Sequence, residues 1–324
     1  MSASKLEKTL ARVKQRIADQ QFYEAHQALR TVAARHIKAQ QYDHAIELLY
    51  HGAQQLLQAG EGGSGGDLAR YMVDTYKTAK VPVNIESRLQ VVTLFDLFKP
   101  DEPRRKEYIQ DVVQWSGSNG DVKYGDPELF HIFGSAFANE DSPYEAEKFL
   151  LLGTKDSPVV LANMLFEWFS EDPSAYTVSF YISRAVLGYL SVGNIRDAKK
   201  SLDVYIPQVI SSGRLGTNHQ TATSSIGDTI TVFPEYPLLN FLQLLIAVCQ
   251  RKDADLFRRL RFRYKTELKD AAALDEALDR IGERFCGIQV RNQGNILSDL
   301  MGSFFAPAQS GNASVPQIQN SDLD

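Results

Sequence analysis

The sequence predicts an all-α protein, built as an irregular right-handed α-solenoid of helical pairs with one β-hairpin near its C-terminal end. Two patterns predict this fold. Apolar residues recur at intervals of three and four through the first two thirds of the chain, which places them on one face of each helix. A short sequence motif, made of a bulky residue, an acidic residue and an alanine, also recurs where helices begin, at residues 22–25, 41–45, 142–146 and 194–198. Such an alanine lets the adjoining helix approach closely, as in tetratricopeptide-like pairs, although the irregular spacing excludes a strict repeat of about 34 residues.

The helices follow one another with few interruptions. The first apolar stripe consists of Leu6, Leu10, Val13 and Ile17. After a break at residues 19–21, helices are predicted at residues 22–39, 42–59, 68–78, 85–97, 104–115, 127–138, 143–151, 158–168, 174–192, 195–210, 236–250, 253–268 and 271–288. We expect about thirteen to fifteen in all. Prolines stand where first helical turns would begin, a position that tolerates the missing N–H, at Pro127, Pro143, Pro158 and Pro173.

The glycine-rich residues 60–67 imitate three enzyme motifs and satisfy none of them. Their spacing fits a dinucleotide fingerprint, half of a phosphate-binding loop and part of a nucleophile elbow, yet each motif needs a buried strand before it. Here a helix precedes the glycines, and Gly66 and Asp67 stand where a phosphate loop needs a lysine and a hydroxyl. The segment therefore predicts a corner between two helices, in which glycines adopt positive φ and Asp67 is the N-cap of the helix at 68–78. A nucleotide-binding enzyme is the alternative, which titration with ATP and NAD would reveal.

Residues 211–234 interrupt the helices. They are rich in serine, threonine and glycine, and β-branched residues flank Gly227 and Asp228, which predicts a hairpin whose first strand comes from residues 215–223. A lone two-stranded hairpin is marginal in water, so it must pack on the next helix or be covered by a partner. The end of the chain, residues 306–324, is rich in serine, asparagine, glutamine and proline and is predicted to be a disordered tail.

Composition excludes several functional classes. The chain has 324 residues, a net charge of −5, 44% hydrophobic and 23% charged residues, an ordinary balance that argues against general nucleic-acid binding. Neither the two cysteines nor the six histidines have the spacing of a zinc site, so we expect no metal, no cofactor and no catalytic constellation. The N-terminus carries no secretory signal and the longest apolar run, residues 237–249, is too short for a bilayer. We therefore expect a cytosolic protein without direct membrane insertion.

Charge is unevenly distributed along the chain. The first two helices are basic although the whole protein is acidic, and a second basic helix covers residues 251–265. A basic face is either solvated or a docking face for an acidic partner, and the residues leave both interpretations open. RNA binding by the second helix would need exposed aromatic residues, whereas Phe257, Leu260 and Tyr264 share one stripe and are expected in the core.

Several stretches, taken in order, resemble a known family. They are residues 22–27, 42–48, 62–68 and 124–129, together with residues 145–147 ahead of 152–154. These stretches are similar to the Golgi-to-ER-traffic protein four family, the helical scaffold subunit of the guided-entry machinery for tail-anchored membrane proteins. The resemblance runs from about residue 5 to residue 290, includes the hairpin, and leaves the tail after Ala306 outside it.

The resemblance implies a non-enzymatic adaptor made of two halves. Residues 1–152 would form the N-terminal repeats that dock on the dimeric targeting ATPase, which carries tail-anchored clients. Residues 153–305 would form the C-terminal repeats and hairpin that hold a ubiquitin-like-domain adaptor, which recruits chaperones. No homo-oligomer is expected without that adaptor. The alternative is a helical scaffold of a proteasome-lid-like or translation-factor-like complex, although such proteins usually end in a winged-helix module that this sequence does not predict.

Two sets of residues are predicted to bind these partners. The ATPase-facing set consists of Arg12, Arg16, Tyr23, Arg30, Lys38 and Asp67. Within it, the resemblance points most directly at Tyr23, Lys38 and Asp67. The adaptor-facing set, in the hairpin and the helix behind it, consists of Ile226, Ile230, Val232, Phe233, Tyr236, Leu238, Phe241 and Leu242. The alternative for this second set is that its side chains only pack the hairpin on its own helix.

Overall fold

The computed structural model describes residues 3–223, 229–269 and 274–288, and within them it contains fifteen α-helices, a short 3₁₀ helix and one antiparallel pair of strands. The helices before the hairpin are α1 (Ala3–Ala18), α2 (Phe22–Lys38), α3 (Tyr42–Gln58), α4 (Gly62–Ala79), α5 (Ile85–Phe95), α6 (Pro103–Asn119), α7 (Pro127–Asn139), α8 (Pro143–Leu150), α9 (Ser157–Glu171), α10 (Val178–Ser191) and α11 (Ile195–Ser211). The remaining elements are β1 (Gln220–Thr223), β2 (Thr229–Val232), α12 (Pro237–Arg251), α13 (Ala254–Arg263), α14 (Lys265–Lys269) and α15 (Asp275–Cys286). The predicted helical class and its late hairpin are confirmed.

The helices stack mainly on their neighbours in the sequence, as expected for a solenoid. In the first half α2 packs on α3, α3 on α4 and α4 on α6, and in the second half α9 and α10 both pack on α11. Two apolar cores result, one drawing on residues 13–149 and the other on residues 146–281. Both cores take side chains from α8, with Phe149 in the first and Ala146 and Leu150 in the second. Helix α8 therefore couples the two halves of the stack.

A largely buried ion pair ties the start of α6 to the end of α7. The Arg105 guanidinium donates from Nη1 and Nη2 to the two carboxylate oxygens of Glu140, each at 2.7 Å. Its central carbon also lies 4.5 Å from the ring centre of Phe95 and 5.2 Å from that of Phe137. The two rings exclude water from the charged group, so the bidentate pairing is what makes its burial tolerable.

The glycine-rich segment is helical where the sequence analysis predicted a corner. Helix α4 begins at Gly62, so the prediction that Asp67 is an N-cap is wrong, because Asp67 lies inside the helix more than a turn past its start. Gly60 does adopt a positive φ of 83°. A Cβ on Gly65 would lie 2.7 Å from Leu57 Cγ, and one on Gly66 would lie 2.7 Å from Arg104 Cβ. These glycines are therefore needed for the close approach of α3 and α6 to α4.

Smaller differences concern helix boundaries in the second half. Helix α10 begins at Val178, after a 3₁₀ helix at Ala175–Thr177, so Pro173 does not stand in its first turn as predicted. The helix predicted at residues 253–268 is divided at Tyr264 into α13 and α14. Phe257 and Leu260 are buried as expected, and Tyr264 is partly buried.

The hairpin packs on α12 through two side-chain amides. Its strands pair antiparallel, with Gln220 opposite Val232 and Thr223 opposite Thr229. Asn240 on α12 accepts a hydrogen bond from the Phe233 N–H and donates one to the Phe233 carbonyl, both at 2.8 Å. One turn further on, Gln243 bonds in the same way to the N–H and carbonyl of Thr231, at 3.0 and 2.8 Å. We call Asn240 and Gln243 the amide clamp.

Two predictions of the sequence analysis concern residues that the structure does not describe. The turn of the hairpin, including Ile226, and the tail at 306–324 lie outside the described residues. In the part of the chain that the structure describes, no helix has both the length and the apolar character needed to cross a bilayer. The same part contains no cluster of three or more histidine, cysteine, aspartate or glutamate side chains suited to a metal ion.

Candidate functional site

The ATPase-facing residues predicted from the sequence lie on α1, α2 and α4. Four of them are exposed, Arg12 and Arg16 on α1 and Tyr23 and Lys38 on α2. Arg12 and Arg16 are four residues apart and so share one face of α1. We call these four residues, with Arg30 and Asp67, the N-terminal surface.

Two structural features characterise the N-terminal surface, an exposed tyrosine and a hydrogen bond between α1 and α2. Tyr23 is 70% exposed, although it is a large aromatic residue in the first turn of a helix that buries Ala25 and Leu29. Exposed tyrosine and arginine are the residue types that contribute most to protein–protein interfaces. Arg16 also donates to the Glu24 carbonyl at 3.3 Å, which links the end of α1 to the start of α2.

Arg30 and Asp67 are in direct contact, and a third residue joins them. The Asp67 carboxylate accepts a hydrogen bond from Arg30 Nη1, and its same oxygen, Oδ2, lies 2.8 Å from Nε2 of His26. The guanidinium carbon of Arg30 lies 5.3 Å from the ring centre of Tyr71, within reach of a cation–π interaction. We call His26, Arg30 and Asp67 the ionic cluster.

The ionic cluster keeps Asp67 charged. Burial by itself raises the pKa of the Asp67 carboxyl, but the hydrogen bonds and positive charge of His26 and Arg30 outweigh it, and the pKa lies below its usual value. No hydrogen bond or ion pair among the described residues joins Arg12, Tyr23 or Lys38 to this cluster.

Arg30 and Asp67 were predicted from the sequence as members of one set, whereas His26 was not predicted. The available signal was spacing, since His26 follows Tyr23 by three residues and precedes Arg30 by four, which puts all three on one face of α2. What spacing could not show is that this face meets α4 at Asp67. That contact depends on the close packing of α2, α3 and α4.

A second candidate surface opens between α11, the hairpin and α12. Its apolar side chains are Leu202, Ile206, Ile230 and Ile246, and its polar rim includes Lys199 and Asp203, which pair at 3.1 Å. We call this surface the hairpin cleft. One wall is the hairpin strand β2, which the amide clamp attaches to α12. The wall of the cleft on α11 was not predicted from the sequence, although Leu202 and Ile206 are four residues apart and share one face of that helix.

The adaptor-facing residues divide into two groups in the structure. Phe233, Tyr236, Phe241 and Leu242 are buried in the chain's own core, where Phe233 is only 1% exposed. Ile230, Val232 and Leu238 are half-buried, and Ile230 lines the hairpin cleft. The first group therefore supports the hairpin from behind, and among the residues of this set that the structure describes, only the second group presents surface that a partner can touch.

The chain is similar in sequence and in fold to known proteins of one family. The chain matches the family model described as Golgi to ER traffic protein 4 over residues 39–305. Golgi to ER traffic protein 4 of Aspergillus fumigatus is 42% identical over 330 residues, which cover 97% of this chain and 94% of that protein. The protein of the same name from Schizosaccharomyces pombe is 35% identical over 285 residues, covering 88% and 91% of the two chains. The crystal structure of C. therm. Get4 is similar with a TM-score of 0.83 and 39% identity, covering 98% of this chain and 100% of that one.

Proposed function

Because this chain belongs to the Golgi to ER traffic protein 4 family, we propose that it is a non-enzymatic cytosolic scaffold in the targeting of tail-anchored membrane proteins to the endoplasmic reticulum. It bridges two partners. The N-terminal surface binds the targeting ATPase, and the hairpin cleft binds a ubiquitin-like-domain adaptor that recruits chaperones. The observation that carries this proposal is the separation of the two surfaces, which lie on helices that belong to different apolar cores.

The structure argues against the nucleotide-binding alternative. A phosphate loop works because its glycine backbone is open to the phosphates. Here the space beside Gly65 and Gly66 is filled by Leu57 and Arg104, so a phosphate cannot approach the backbone there. The alternative of a proteasome-lid-like or translation-factor-like scaffold loses its basis, because the family match covers residues 39–305.

Binding of the ATPase to the N-terminal surface can be tested by reversing an exposed charge and by changing the salt concentration. Lys38 is exposed at the last turn of α2, and exposed charges act mainly on the rate of association. We expect Lys38→Glu to slow association with the purified ATPase, and we expect the wild-type affinity to fall as salt increases. A matched control is Lys200→Glu, an exposed lysine on α11 in the other half. An association rate that responds equally to both substitutions, or not at all to Lys38→Glu, would contradict the assignment.

The adaptor-facing surface is tested by a charge placed in the hairpin cleft. Ile230→Asp puts a carboxylate where an apolar side chain of the adaptor would pack, so adaptor affinity should fall while ATPase binding is kept. Thr221→Asp is the control, because Thr221 is exposed on β1 and does not line the cleft. Replacing residues 212–231 by a short Gly-Ser linker is the larger test. A folded chain that still binds the adaptor tightly after this replacement would refute the cleft as its site.

A further inference from the structure

Both donors of the ionic cluster converge on one oxygen of Asp67. His26 Nε2 and Arg30 Nη1 contact Oδ2, and no described residue forms a hydrogen bond with Oδ1. A carboxylate has acceptor capacity on both oxygens. The side chain of Asp67 is 29% exposed, so part of it lies at the protein surface. The cluster thus leaves one acceptor oxygen unused on a carboxylate that is already held in place.

We propose that His26 and Arg30 are positioning residues, which hold the Asp67 carboxylate in one orientation so that Oδ1 accepts a hydrogen bond from a cationic side chain of the ATPase. This inference rests on the proposed function, since it assumes that the N-terminal surface binds the ATPase. It changes the role of Arg30 within that surface. Arg30 acts through Asp67 and does not itself contact the partner.

The cluster is built to hold its geometry. His26 is only 13% exposed, and Arg30 is held at its other face by the ring of Tyr71. An aspartate alone on a helix surface would sample several rotamers, and ordering it on binding would cost free energy. Here that ordering occurs when the chain folds. An interface group held by neighbouring hydrogen bonds binds more tightly than a free one for this reason.

Burial makes a second distinction within the N-terminal surface. The side chain of Asp67 is only 29% exposed and already paired, whereas Lys38 is exposed. Partly buried contacts of this kind are screened by salt much less than exposed charges. The contribution of Asp67 to binding should therefore change little with ionic strength, whereas the contribution of Lys38 should decrease.

A double-mutant cycle tests the proposal with the full chain and the purified ATPase. The variants are Asp67→Ala, Arg30→Ala, the double variant and Arg30→Lys, each measured by isothermal titration calorimetry. We expect Arg30→Ala to weaken binding about 2- to 12-fold, because the Asp67 side chain must then be ordered when the ATPase binds. The double variant should bind no more weakly than Asp67→Ala alone, and Arg30→Lys should restore part of the affinity. If the losses of the two single variants instead multiply, Arg30 contacts the ATPase directly and the proposal is wrong.

A charge reversal separates positioning from simple stabilisation. In the variant Arg30→Asp/Asp67→Arg the ion pair is re-formed with its ends exchanged, so thermal stability should recover towards wild type while ATPase affinity should not. Recovered affinity would overturn the proposal, because it would show that the pair only stabilises the fold. Helical content, measured by far-UV circular dichroism, serves as the folding control for every variant. Unchanged ATPase affinity in both Asp67→Ala and Lys38→Glu would refute the proposed ATPase surface itself, an outcome distinct from multiplying losses.

Discussion

The amide clamp allows a sharp prediction about the hairpin. Asn240→Ala removes two hydrogen bonds of 2.8 Å, one to the N–H and one to the carbonyl of Phe233. Each is expected to contribute about 0.5–1.5 kcal/mol, so the free energy of opening this part of the hairpin should fall by about 1–3 kcal/mol. The Phe233 side chain stays buried, so the chain as a whole should remain folded.

Hydrogen–deuterium exchange measures this free energy locally. A fall of about 1–3 kcal/mol corresponds to an exchange rate that is faster by about 5- to 150-fold at the Thr231 amide, whose own bond to Gln243 the variant keeps. Gln250→Ala is the control, because Gln250 is exposed near the other end of α12. In this control the exchange rate of the Thr231 amide should match wild type.

The same variant should weaken adaptor binding, because the hairpin forms one wall of the hairpin cleft. A Thr231 exchange rate in Asn240→Ala that stays within about twofold of wild type would refute the reasoning. It would show that burial of the Phe233 ring places the hairpin without help from the amides. Adaptor affinity would then be expected to stay unchanged as well.

Three further predictions concern the stability of the chain. Gly65→Ala should lower the free energy of unfolding in urea by about 1–3 kcal/mol, because the new Cβ would overlap Leu57. Gly63→Ala should be neutral or stabilising by up to about 1 kcal/mol, because no atom lies within 4 Å of the new Cβ. Equal effects of the two substitutions would contradict the close packing of α3 on α4. Arg105→Met leaves Glu140 unpaired and should lower the free energy of unfolding by up to about 3–5 kcal/mol. The side chain of Glu140 is 24% exposed, so water that reaches it should reduce this loss. Adding Glu140→Leu should recover part of the loss in the same assay. Burial raises the pKa of the Cys249 thiol from the ordinary value of 9.0 to about 12. Between these two pH values only the unfolded chain releases this proton, so the free energy of unfolding should fall by about 1.4 kcal/mol per pH unit. A Cys249→Ala variant with the same pH dependence would contradict this prediction.

Local patterns predicted the helices well where one face is buried. The stripe of residues 42–59 became α3 within one residue at its end, because each turn of that stripe buries an apolar side chain. The same reasoning failed at α4, whose first turns consist mostly of glycine. Glycine disfavours a helix in isolation, and only the close contacts with α3 and α6 compensate for it.

The candidate surfaces also combine features that local sequence predicts with contacts that it does not. The residue types of the N-terminal surface could be chosen from charge and from a family resemblance, but the pairing of Asp67 with Arg30 and His26 joins residues that are 37 and 41 positions apart. For the hairpin, the sequence identified its apolar residues without distinguishing those that face a partner from those that face the core. Phe233 and Ile230 look alike in sequence, yet Phe233 is buried and Ile230 lines the hairpin cleft.

By itself the sequence determined the helical class, the position of the hairpin and the family, because these depend on periodicity, turn residues and motifs that are local in the chain. Only the tertiary structure decided that the glycine-rich segment is helix, that Asp67 is held by two donors through one oxygen, and that Asn240 and Gln243 hold the edge of β2. Each of these depends on the distance between helices. That distance is set by how side chains from separate elements fill the shared core, which no local pattern encodes.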